Sequence, residues 1–410
     1  MNPQYLSDTR AIRLVCIAIV LAFSYGVWYS YSVFLVALFE EFGWSRSTLA
    51  LGFSIFAVVH GVSNPVVGRL CDKINPAYLV VFGGIGVSLS LLYVSFIETP
   101  AQLFFGFGVL TAISVALCGW APSLVQVQRN HKARLGFAIG FISSGIGVGM
   151  LLIVPLVQLL IQNYGWRLAY QIFALISFCV IVPIGIFLIK LPSVQSFLQL
   201  EQEQGVEVKG SPSLPDAMRD AKFWLIVGAF FFGSMGSQIL HVHQVVFLVE
   251  HGISTMVGAT VVSVIGIASI LGKTGGGWLS DLIEREKVFV AGNLIMICSV
   301  FVLFLSAETG SVFTAYLFAV LLGVGYSANA AIAPAMMSDH FSGRYFGSIL
   351  GVGLFGSAIG AALGPWIAGE LFDFNGDYSL AFRLAILCGV LAAISGFGVK
   401  ILKLATVRTR

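Results

Sequence analysis

The stretch LVCIAIVLAFSYGVWYSYSVFLVAL, residues 14–38, runs for 25 residues without a charge. An α-helix rises 1.5 Å per residue, so roughly 20 apolar residues cross a hydrocarbon core of about 30 Å. The stretch therefore reads as a membrane span. It is too long for the apolar region of a signal peptide and lacks a small-residue cleavage site, so no cleavage is expected. Outward from it, similar runs recur at about 48–70, 78–97, 101–128, 135–162 and 168–190, and again at 222–249, 257–280, 287–307, 311–338, 346–371 and 380–404. Twelve spans are expected, and an even number places both chain ends on one side.

Composition agrees. Of 410 residues, 58% are hydrophobic and 10% charged, against about 25% charged in a soluble domain. So few charges cannot clothe a water-facing surface. The 46 glycines suit close helix packing and the 34 phenylalanines suit lipid-facing walls. No basic patch for nucleic acid stands out at a net charge of +3. Cys16, Cys71, Cys118, Cys179, Cys298 and Cys388 lie singly, without CxxC or metal-ligand spacing, and read as inert thiols. No metal and no cofactor is expected.

Lysine and arginine set the orientation, because loops facing the cytoplasm carry the excess. With the N-terminus inside, 18 of the 22 lie in inside segments. Only Arg46, Arg167 and Arg383 fall outside, and Lys273 sits within a span. Cytoplasmic termini in a multi-pass inner-membrane protein are expected. A polar segment, 191–221, containing EQEQGVEVKGSPSLPD, reads as a cytoplasmic linker ending in a short surface helix near Asp216–Lys222. It separates two six-span bundles, 1–190 and 222–410.

Those bundles repeat each other. GRLCD at 68–72 answers GWLSD at 277–281, Pro122 answers Pro334, Gly136 and Gly140 answer Gly347 and Gly351, and LAY at 168–170 answers LAF at 380–382. The offsets stay between 209 and 212 positions. Parallel six-span repeats around a membrane-normal axis mark one large class of transporters, with the substrate site near the midplane.

Across nearly its whole length the sequence resembles the major facilitator superfamily. Residues 68–73 are similar to that family's loop 2–3 signature, although its closing Gly-Arg is replaced by Asn75-Pro76. The resemblance implies an all-α fold of two pseudo-symmetric six-helix bundles. It also implies a gating latch built from Gly68, Asp72, Arg134 and Asp281, with both aspartates offering charge to helix N-termini. Residues 26–34 and 41–46, the ARLGFAIG run at 133–140, YGWR at 164–167, and DAMR at 216–219 before Phe223-Trp224 resemble bacterial monocarboxylate porters and oxalate–formate exchangers. That branch carries small organic anions.

Lys273 is the residue most charged with meaning. It lies eight positions before Asp281, about 12 Å along a helix, and hence near the midplane. A lone cation there is expensive and usually marks a pathway or ligand. One helical turn away stand Ser269 and Gly277, not a carboxylate. Snorkelling or carbonyl bonding is the alternative to a ligand role. The resemblance adds that porters of this branch hold the substrate carboxylate with a cation in span 8. The animal monocarboxylate transporters have Asp where this chain has Ser269, and the oxalate exchanger has a second cation in span 11, where none occurs here. One cation suits a monoanion.

His60, nine residues before Arg69, reaches a similar depth and can titrate near neutral pH. It is a candidate proton carrier, weighed against a packing role. His241 and His243 are lesser candidates, and their two-residue spacing points them to different faces. Trp28, Tyr29, Trp120, Tyr326 and Asn329 could wall the site, each also explicable as packing, and aromatics of spans 1, 4 and 10 do so in related exchangers. Gly145, Gly147 and Gly149 lie in an apolar span without a preceding strand, so close packing accounts for them better than a phosphate loop.

The expected function is secondary transport of a small organic anion, foremost a monocarboxylate, by alternating access with proton symport or anion exchange, in a monomer whose partners are that anion, a candidate co-transported proton and lipid. Efflux of a drug or siderophore on the same fold would predict a larger cavity indifferent to Lys273. A sensor that moves nothing would predict soluble modules or long tails. No HExxH, GxSxG or paired intramembrane aspartates support an enzyme.

Overall fold

A computed structural model describes residues 3–44, 46–131, 134–191 and 211–408. The described residues form helices and turns, without strands. In order these are α1 (Pro3–Phe42), α2 (Arg46–Lys73), α3 (Pro76–Val94), α4 (Pro100–Asn130), α5 (Leu135–Lys190), α6 (Leu214–Arg219), α7 (Ala221–Glu250), α8 (Thr255–Leu282), α9 (Arg285–Thr309), α10 (Val312–Phe341), α11 (Phe346–Asn375) and α12 (Ser379–Arg408). Most of the expected linker, residues 192–210, lies outside the described residues. Its end forms α6, capped by reciprocal bonds between Ser213 and Asp216.

Eleven helical stretches among the described residues are long and apolar enough to cross a membrane. One of them, α5, has 56 residues, about 84 Å at the helical rise and far beyond one hydrocarbon core. Gly165 breaks it with φ 76° and ψ 161°. That backbone conformation is open to glycine and strained for other residues. Two spans therefore meet at a one-residue corner, and the expected twelve are present.

α4 departs from the uninterrupted span expected at 101–128. It opens α-helical, passes through a π-helical stretch from Phe104 to Thr111, and breaks at Gly119 (φ −88°, ψ −132°) before Trp120. Thr111 steadies the π-helical stretch, its hydroxyl lying 2.9 Å from Ser90 Oγ and 3.0 Å from the Gly106 carbonyl. Both glycine breaks sit in apolar surroundings, which is why hydropathy does not announce them.

The chain divides into two compact units. Unit 1 comprises residues 1–133, 145–212 and 342–351, and unit 2 comprises 134–144, 213–341 and 352–410. The first turns of α5 and α11 thus belong to the unit opposite their own sequence half. Unit 1 is packed by rings, with Tyr31 against Phe107 at 4.2 Å between centroids and Phe34 stacked on Tyr170. Unit 2 is built likewise around Phe247, Phe304, Tyr378 and Phe382. Large apolar side chains such as Phe82, Leu89, Leu175 and Leu271 face outward while Asn293, Gln244 and Ser143 are buried, the distribution that lipid as solvent requires. Gly145 and Gly149 lie against the backbone of α1. A Cβ at either would approach the carbonyl carbon of Ala18 or Ala22 to 2.9 Å, so close packing is their role.

Candidate functional site

In unit 2, Lys273 is 3% exposed on α8. Its Nζ lies 5.1 Å from the ring centroid of Tyr326 on α10, a cation–π distance. Ser269, one turn before Lys273, donates its hydroxyl to the Gly266 carbonyl at 2.8 Å. No carboxylate among the described residues pairs with Lys273, and the contact recorded for its charge is the face of the Tyr326 ring.

His241 on α7 presents its ring to the same tyrosine, with centroids 4.7 Å apart and planes at 81°. His243 turns elsewhere. Its Nε2 lies 3.0 Å from the Pro365 carbonyl oxygen and its Nδ1 3.4 Å from the Tyr378 hydroxyl, so both ring nitrogens are occupied. Asn329, one turn beyond Tyr326, ties helices together. Its Nδ2 donates to the Gly233 carbonyl at 3.4 Å, and its Oδ1 accepts from Asn293 at 3.4 Å. Unit 2 therefore groups Lys273, Ser269, Tyr326 and His241, with Asn329 held between α7 and α9.

In unit 1, Trp28 on α1 is the hub of an aromatic box. Tyr25 stacks on it at 5.7 Å, and Phe56 and His60 of α2 meet it edge to face at 4.8 and 4.9 Å. Tyr29 lies at the border of this group, 6.4 Å from Trp28. Trp120 starts the second part of α4 just after Gly119, where a Cβ would come within 3.8 Å of Tyr25. His60 is 7% exposed, and its Nε2 is buried without a hydrogen-bond partner among the described residues. The backbone carbonyls of Asn64 and Lys273 lie against Gly351 and Gly140 respectively, so these positions correspond in the repeat, and His60 corresponds to Ser269. The charge at Lys273 is thus a feature of one unit only. Tyr25 and Phe56 went unnoticed in the sequence, although Tyr25 stands three residues before Trp28 and Phe56 four before His60, spacings that share a helix face.

The two aspartates occupy matching positions. Asp72 accepts the backbone N–H groups of Gly347 and Ser348 at 2.7 Å each, together with the Ser348 hydroxyl. Asp281 accepts those of Gly136 and Phe137 at 2.8 Å each. Each carboxylate caps the first turn of α11 or α5, where unpaired N–H groups and the helix dipole favour an anion. Gly68 and Gly277 permit the approach. A Cβ at Gly68 would sit 2.8 Å from the Gly347 carbonyl carbon, and one at Gly277 2.9 Å from that of Gly136. Arg134 is exposed just before α5, and its carbonyl accepts from Ala138 at 3.0 Å. The surroundings differ between units. Arg285 bridges Asp281 at 3.1 Å and Asp339 at 2.7 Å, whereas Arg129 in unit 1 donates to the Cys71 carbonyl at 2.8 Å.

A sequence profile described as Major Facilitator Superfamily matches residues 17–275 and 248–408. Monocarboxylate transporter 12 of Xenopus laevis is 26% identical over 392 residues, covering 89% of this chain and 84% of that protein. Monocarboxylate transporter 4 of Rattus norvegicus is 25% identical over 379 residues, covering 90% and 78%. The MFS-type transporter YcxA of Bacillus subtilis (strain 168) is 23% identical over 376 residues, covering 89% of each. Among solved structures, the MFS transporter FucP in its outward conformation aligns with a TM-score of 0.75 at 16% identity, over 95% of this chain and 99% of that one.

Proposed function

The chain belongs to the major facilitator superfamily, and from that premise we propose that it transports a small organic monocarboxylate, with Lys273 as the anchor of the carboxylate. The carrying observation is the state of Lys273: buried, facing Tyr326, and without a carboxylate partner among the described residues. A cation at the middle of a span costs about 3 kcal/mol on insertion scales. An anionic substrate offsets that cost each time it binds, and a single cation matches a single carboxylate. Relatives named as monocarboxylate transporters support the same substrate class. Within unit 2, Tyr326 and Asn329 supply apolar and hydrogen-bonding walls of the kind a small acid needs, and within unit 1 the aromatic group of Trp28, Tyr29 and Trp120 is the corresponding candidate wall.

The distribution of lysine and arginine supports cytoplasmic termini in the inner membrane. The test of the reading is a panel of radiolabelled two- to six-carbon carboxylates presented to proteoliposomes with and without a pH gradient. Saturable uptake of at least one monocarboxylate, with dicarboxylates far poorer, is the expected result. Uptake of none of them would end the proposal.

Coupling falls to a proton or to a counter-anion. His60 is the favoured proton site, ahead of His241 and His243, because its Nε2 is buried in an aromatic box with no hydrogen-bond partner among the described residues. His60→Gln should reduce the stimulation of uptake by an inward proton gradient from severalfold to about none, while counterflow exchange of labelled substrate continues. Undiminished gradient-driven accumulation in this variant assigns His60 to packing and leaves exchange as the coupling.

A further inference from the structure

We infer that His241 determines specificity by accepting a hydrogen bond from a hydroxyl carried beside the substrate's carboxylate. The inference rests on the carboxylate reading of Lys273 and deepens it. His241 Nδ1 lies 2.7 Å from the carbonyl oxygen of Ser237. A carbonyl only accepts, so Nδ1 carries the hydrogen, and in the neutral ring Nε2 is then an acceptor. No group among the described residues donates to Nε2. The ring stands edge-on to Tyr326 at 4.7 Å, and the same tyrosine ring receives Lys273 Nζ at 5.1 Å. The histidine and the cation thus meet the same tyrosine ring.

An open acceptor beside an anion anchor discriminates by what hangs from the carbon next to the carboxylate. The carboxylate oxygens themselves are acceptors and are driven to Lys273, not to Nε2. A 2-oxo group also only accepts, so it meets Nε2 lone pair to lone pair. A plain methylene brings no donor to Nε2 while displacing the water that could serve it, and a polar group left so is penalised. A 2-ammonium would set a second positive charge beside Lys273. A 2-hydroxyl donates to Nε2 and completes the set. Sites that bond a substrate hydroxyl reject the analogue lacking it more sharply than apolar pockets reject a methylene.

The experiment uses the purified full chain in proteoliposomes and four acids of equal carbon number: propanoate, 2-hydroxypropanoate, 2-oxopropanoate and 2-aminopropanoate. Initial-rate kcat/KM should favour the hydroxy acid about tenfold over propanoate and the oxo acid, with the amino acid poorest. His241→Phe keeps a ring against Tyr326 and removes the acceptor, and the hydroxy-to-oxo ratio should fall to about one. His241→Leu, read by the same ratio, serves should the phenylalanine variant fail to reach the membrane. Equal use of hydroxy and oxo acids by the unsubstituted protein overturns the inference while leaving the Lys273 reading intact. So does a tenfold preference that survives in the variants. Uptake of none of the acids, nor of any in the wider panel, overturns both.

Discussion

Lys273→Gln should lower initial-rate uptake of the transported carboxylate at least a hundredfold, with the protein still reaching the membrane. Glutamine is one atom shorter and keeps some hydrogen-bonding capacity but removes the charge. Hydrogen bonds to charged groups are worth about 1.5–3 kcal/mol each, and a hundredfold loss corresponds to about 2.7 kcal/mol. The substitution should not impair folding, because Lys273 has no carboxylate partner among the described residues to be stranded by its loss. Removing a buried, unpaired cation relieves an insertion cost. Lys273→Arg should retain a measurable fraction of the rate. Its guanidinium keeps the charge and can face Tyr326, but its planar fork meets a carboxylate with a different reach. Monodispersity in detergent separates a folding defect from a transport defect. Uptake by the glutamine variant within about twofold of the original would remove Lys273 from the binding site.

The fold was readable from hydropathy because lipid imposes one rule on every span, a run of roughly 20 apolar residues with its backbone bonded internally. The rule fails where the backbone turns without leaving apolar company. At Gly165 the corner occupies one residue between two apolar arms, and at Gly119 the break lies within a span. Glycine is common throughout this chain, so neither position stood out. The site was readable one residue at a time. Lys273 announced itself as a charge in an apolar run, but its neighbours did not. Tyr326 is 53 positions downstream and His241 is 32 upstream, distances over which no helical periodicity speaks. The two-residue spacing of His241 and His243 did say that they face apart, and they do, toward Tyr326 and toward Tyr378 with Pro365.

The second large effect concerns the two capping aspartates, which we assign with Gly68, Gly277 and Arg134 to gating. Asp72→Asn should shift the protein away from the conformation in which α11 is capped. A carboxylate offers an acceptor to each N–H of Gly347 and Ser348, whereas a carboxamide offers one oxygen and turns an N–H₂ toward the other. The loss of charge also forfeits the favourable interaction with the helix N-terminus. Together these amount to about 2–3 kcal/mol, or a change of roughly 30- to 150-fold in the conformational equilibrium. Asp281→Asn should act the same way on α5, and more strongly, because it also takes a partner from Arg285, leaving that guanidinium to Asp339 alone. A probe position stands next to each site, native at Cys71 and introduced at Ser280. Cys71 is 0% exposed beside Asp72, and Ser280 is 3% exposed beside Asp281. In backgrounds retaining only Cys71, or only a cysteine from Ser280→Cys, labelling by a water-soluble maleimide should accelerate at least tenfold when the neighbouring aspartate is replaced. Equilibrium binding of substrate, measured separately, should change far less than the labelling rate, since neither aspartate touches Lys273 or its aromatic wall. Labelling rates unchanged in both variants would deny these carboxylates a gating role and leave them as helix caps.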